Sequence, residues 1–140
     1  MRRPNKRSRG APPGALLLLM VGAALGGGAQ AQEIPLPDLP VILTERYEGE
    51  ARLQVANVAA AAQAEPLQPE KVGRLGMLLQ AYEELEAAEQ CYRRARKLAP
   101  SQFEWIYLQG VVEAQLGWHD KAIATLREAV GRRPAYWQAR

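Results

Sequence analysis

One cysteine, one histidine and one phenylalanine are all that the 140 residues hold of those three types. With Cys91 alone, no disulfide can close within the chain, so the core has to hold by packing. On a helix, close to apolar repeat positions, its sulfur is expected to be packed rather than paired with another chain. With His119 alone, no metal-spaced cluster forms, and the chain has neither a glycine-rich phosphate loop nor a G-x-S-x-G elbow. Cys91 and His119 as a catalytic pair would lack a third group and an oxyanion site. Asp120, next to His119, reads as a helix cap rather than a histidine orienter. The expectation is no enzyme, no metal and no cofactor. Long hydrophobic runs are missing as well. The apolar stretch at 15–25 would rise only about 16 Å as a helix, against a hydrocarbon core of about 30 Å.

That short run sits inside a recognisable arrangement. Arg2, Arg3, Lys6, Arg7 and Arg9 precede it without an acid, and glycines 26–28 and Ala29-Gln30-Ala31 follow it. A basic start, a short apolar centre and a small-x-small site marked by Ala29 and Ala31 make residues 1–31 a secretory signal peptide with cleavage after Ala31. The alternative is an uncleaved anchor. Pro4 after Arg2-Arg3 breaks the twin-arginine context, which leaves the general export route. The expected localisation is exported, periplasmic or extracellular, with no stable membrane span. Removing the segment changes the charge: 18 basic and 15 acidic residues become 13 and 15, a net charge near −2. The remaining chain then lacks the basic face that nucleic-acid binding requires, and none is expected. Arg93, Arg94, Arg96 and Lys97 do cluster, but Glu83, Glu84, Glu86 and Glu89 precede them, and acids at a helix start with bases at its end complement the helix dipole.

About 109 residues remain after cleavage, enough for one modest domain. Residues 32–40 carry Pro35, Pro37 and Pro40 and read as an extended lead-in. From 41 to 66, Leu43, Tyr47, Ala51, Val55, Val58 and Ala62 recur at helical spacing, which predicts a helix broken at Gly49 and ended by Pro66. Pro66, Pro100 and Pro134 lie 34 residues apart, and so do Ala61, Ala95 and Ala129. A period of that length marks stacked helical hairpins. The spacing predicts helices near 70–82, 86–98, 102–116 and 120–131. Ser101 to Glu104 has capping-box spacing that would start the third of these at Ser101.

Residues 69–102 offer Val72, Leu75, Gly76, Leu79, Ala88, Tyr92, Ala95 and Pro100; residues 103–136 offer Ile106, Gln109, Gly110, Glu113, Ala122, Leu126, Ala129 and Pro134. Set against W-x2-L-G-x2-Y, A-x3-F and P, the chain resembles a tetratricopeptide repeat (TPR) protein. The resemblance implies an all-α fold of antiparallel hairpins stacked as a short right-handed solenoid. Residues 41–66 would be a helical half-repeat or cap, 69–102 and 103–136 two repeats, and 137–140 the opening of an incomplete third. Gly76 and Gly110 would allow a neighbouring helix to approach. Ala88, Ala95, Ala122 and Ala129 would keep the second helices close, Tyr92 and Leu126 would fill the space beside them, and Pro100 and Pro134 would end them.

Gln109 and Glu113 stand where the family usually has leucine and tyrosine, so the second repeat should pack unconventionally, with Trp105, Tyr107 and Leu108 taking up burial. The family also places its binding groove on the first helix of each hairpin. Here that groove would carry Arg74, Met77, Gln80, Tyr107, Leu108 and Val111, a mixed apolar surface suited to an extended or helical peptide. For some of these residues the alternative is contact with the next repeat. The expected function is an exported scaffold that binds a peptide or protein partner. The competing expectation is the docking or assembly part of a longer protein, or of one that self-associates through its C-terminal edge with Tyr136 and Trp137 as anchors.

Overall fold

In the computed structural model the described residues are 35–135, so Ala29, Ala31, Tyr136 and Trp137, with the readings made of them, lie outside. A 3-10 turn, Thr44–Arg46, leads into five α-helices: α1 Gly49–Ala64, α2 Pro69–Ala81, α3 Leu85–Leu98, α4 Phe103–Gln115 and α5 His119–Arg132. Adding 34 to the bounds of α2 gives those of α4, and adding 34 to α3 gives α5. Each helix packs on the next along the chain. The architecture is an all-α helical-repeat solenoid, and no described helix is long and apolar enough to cross a membrane.

The period extends to the backbone. Among the described residues, positive φ occurs at Gly49 (+53°), Glu83 (+62°) and Gly117 (+76°), again 34 apart. Both complete hairpins turn by the same pair of bonds. The amide of Glu84 donates to the Leu79 carbonyl (2.9 Å) and that of Glu83 to Gln80 (3.0 Å); Trp118 donates to Glu113 (2.9 Å) and Gly117 to Ala114 (3.0 Å). This is the Schellman ending, which needs one left-handed residue just past the helix. Gly49 occupies the equivalent place before α1, which therefore corresponds to the second helix of a repeat. The positions where a first helix would lie, 35–47, hold Pro35, Pro37 and Pro40. Proline disfavours helical backbone in the residue before it, and an extended segment with one 3-10 turn results.

Small residues set the helix spacing. A Cβ on Gly76 would come within 2.9 Å of the Tyr92 ring, and one on Gly110 within 2.7 Å of the Leu126 side chain. Glycine inside a helix costs about 1 kcal/mol against alanine, and burial of Tyr92, Leu75, Leu79 and Ile106 offsets it. Ala88, Ala95, Ala122 and Ala129 are buried on the second helices. The joint between hairpins uses Gly73, where an added Cβ would lie 2.3 Å from the Trp105 ring. Trp105 thus seats on the backbone of α2 and joins the main core, while Phe103, Ile106 and Ala129 form a second cluster.

Two local expectations are corrected. Helix α4 starts at Phe103 with Gln102 as its cap residue, and no side chain caps it. The Ser101 capping box does not form; the Gln102 side chain instead accepts from the Trp105 indole and donates to Glu70. Asp120 does not cap α5: the cap residue is Trp118, and Asp120 lies in the first turn, where its charge complements the helix dipole. Pro100 and Pro134 follow the ends of α3 and α5, and Pro134 and Ala135 are themselves helical.

Candidate partner-binding site

The first helices of the two hairpins, α2 and α4, border a cleft of about 520 Å³ lined by Glu70, Lys71, Arg74, Met77, Gln102, Glu104 and Trp105. Residues 70, 74 and 77 recur at helical spacing and so share one face of α2. Met77 is 45% exposed, a large apolar side chain left open beside Trp105. Lys71 pairs with Glu65, and Gln102 holds Glu70. Arg74 is exposed and has no ion-pair partner among the described residues, which leaves one unneutralised cation in the cleft.

Of the six residues expected in a groove, Arg74 and Met77 line this cleft. Gln80, farther along α2, donates to Gln115 on α4 (2.8 Å) and accepts from the Tyr92 hydroxyl (2.8 Å), tying the two hairpins together. Tyr107 stacks on Phe103 with ring centroids 5.6 Å apart. Leu108 packs against the main core, and Val111 is half-buried.

A buried polar group lies between α3, α4 and α5. The Gln109 amide donates to Glu113 (2.9 Å) and Glu89 (3.4 Å), and its oxygen accepts from Arg96 (3.1 Å). Arg96 also pairs with Glu128 on α5. Glu113 is 3% exposed, and its second oxygen, Oε2, has no hydrogen-bond partner among the described residues. Burial pushes the Glu89 carboxyl above its ordinary range, and Glu113 adds to that while Arg93, Lys121 and Gln109 oppose it. The departures at Gln109 and Glu113 are thus a connected set that spans both repeats. Glu89 was the available signal: one repeat earlier than Gln109 the chain has Leu75, and only the pairing of changes at 89, 109 and 113 makes a network.

The lead-in proved more ordered than its prolines suggested. Residues 35–38 run along α3, whose side chains donate to their carbonyls: Gln90 to Asp38 (2.7 Å), Arg94 to Pro37 (2.6 Å) and Lys97 to Pro35 (3.2 Å). Arg94 is 9% exposed and also donates to the Pro66 carbonyl (2.9 Å). It is therefore a buried clamp, which corrects the reading of its cluster as dipole complement alone. Leu39 and Ile42 pack on the main core. Cys91 is buried and free, its thiol pushed up to about 12 by desolvation.

Residues 106–136 match the family model described as Tetratricopeptide repeat. No curated protein matches the sequence. That match, falling on α4 and α5, and a preceding hairpin in the same register support a tetratricopeptide repeat protein.

Proposed function

We propose that the chain is an exported scaffold whose α2/α4 cleft binds a peptide or a partner helix. The observation that carries this reading is the exposed Met77 beside Trp105, with an unpaired Arg74 one turn away. An apolar anchor with a nearby free cation suits a segment that carries one large apolar side chain and a carboxylate. The tetratricopeptide match supports protein–protein interaction as the class of activity. Export rests on the arrangement of residues 1–31. Binding rather than catalysis is favoured because the one thiol is buried and held un-ionised. Nucleic acid is disfavoured by the net charge after cleavage.

A second reading, assembly through the C-terminal edge, draws on Ile123 and Val130, apolar and exposed on α5. A peptide library selected against residues 32–140 tests the first reading. Arg74→Glu with Met77→Ala should lower affinity for the enriched peptides at least about ten-fold, roughly 1.4 kcal/mol, with helical content unchanged. Undiminished binding would remove the cleft from consideration. Sedimentation of the same material showing no monomer at micromolar concentration would favour assembly.

A further inference from the structure

The lead-in meets α3 as a ligand meets a receptor. Among the described residues, the hydrogen bonds between them run from α3 side chains to main-chain carbonyls, so it is the extended backbone that α3 holds. The donors Gln90, Arg94 and Lys97 recur once per turn on one face of the helix. One repeat later the same positions are Ala124, Glu128 and Gly131, and one repeat earlier Ala56, Ala60 and Gln63. The repeat does not require this donor row; it belongs to α3 alone. The segment is also incompletely seated. Val41 is 88% exposed and Leu43 49%, and a cavity of about 70 Å³ remains beside Ile42 and Tyr47.

We propose that this face of α3 is a second peptide-docking site, filled at rest by the chain's own residues 35–42. It would take an extended, proline-interrupted segment of a partner, with leucine or isoleucine anchors, in place of that lead-in. Proline fits because the contact uses carbonyls, and a residue without an N–H leaves no donor to satisfy on the outer side. When the lead-in departs, Arg94 Nη1 gives up the Pro37 carbonyl (2.6 Å) for water, and a replacement carbonyl takes up the same bond. The covalent attachment of the lead-in gives it a local concentration in the millimolar range, so a competing segment binds weakly until the lead-in is loosened.

The test uses a fluorescent synthetic peptide with the sequence of residues 33–43 and the chain from residue 32 onward. Leu39→Asp with Ile42→Asp unseats the lead-in while keeping it attached. Labelled peptide should bind this variant at least ten-fold more tightly than wild type, and adding Arg94→Ala should abolish the gain. Equal binding to a helical variant and to wild type, or a gain indifferent to Arg94→Ala, overturns the proposal. Should the variant lose its helical signal, methyl NMR on the wild-type chain decides, because the Leu39 and Ile42 side chains pack on the core. Excess unlabelled peptide should move their methyl signals toward free-chain positions; unmoved signals at saturating peptide overturn it.

Discussion

Glu83 holds a left-handed backbone at φ +62°, where its counterparts in the period are glycines. A side chain in that region clashes with the following carbonyl, at a cost of about 1–2 kcal/mol that glycine escapes. The conformation persists because the two bonds ending α2 demand it. Glu83→Gly should therefore stabilise the fold, by about 0.5–1 kcal/mol after the greater freedom of glycine in the unfolded chain is subtracted, read as a higher urea midpoint. A lowered midpoint would mean that the Glu83 side chain makes a compensating contact. Glycine, as at 117, is the residue type by which a sequence marks a helix stop. Glu83 gave no such sign, because only the repeat register, not residue type, marks position 83 as left-handed.

Helix α4 shows what a single helix pattern can and cannot convey. Its place in the chain, its glycine at 110 and its correspondence with α2 were legible from the 34-residue spacing and the small residues, whereas its start was not, because the Ser101 capping box does not form. The α2/α4 cleft was legible only as a helix face: Glu70, Arg74 and Met77 share it, but Gln102 and Trp105 join them through the crossing of the helices, which periodicity does not encode. The side chains at 109 and 113 depend on partners from other helices in the same way. Gln109→Leu, which restores the family residue, should destabilise by about 1–3 kcal/mol, because Glu89 and Glu113 lose their shared donor while remaining buried. Denaturant unfolding checks this. A neutral or stabilising effect would show that the carboxylates find water or other donors. Combining Gln109→Leu with Glu89→Leu and Glu113→Tyr should recover most of the loss, since both buried carboxylates leave with their donor and Arg96 keeps Glu128.

For the whole molecule, the buried Glu89 carboxyl makes stability depend on pH. The Glu89 carboxyl titrates above its ordinary value in the folded chain. Between that ordinary value and the raised one, the folded state binds the proton more tightly than the unfolded state. Stability contributed by this group is complete below the ordinary value and declines as pH rises through the window. Glu89→Gln should flatten that slope, seen in thermal unfolding across mildly acidic to neutral pH; an unaltered profile would show that Glu89 does not titrate differently on folding. The lead-in belongs to this scale too. Its prolines announced an extended segment, but its path is set by Gln90, Arg94 and Lys97, more than fifty residues away in the chain.

The left-handed joints at 49, 83 and 117 carry a consequence for how such a chain can grow. Each joint meets the next after one 34-residue module, and each hands the chain on in the same orientation. A block copied from one joint to the next would re-enter in phase, with its turns already formed and only its side-chain seams to adjust. The length of the array is in this sense modular, altered most simply by whole copies, since a residue added inside a helix would turn its buried face away from its neighbours.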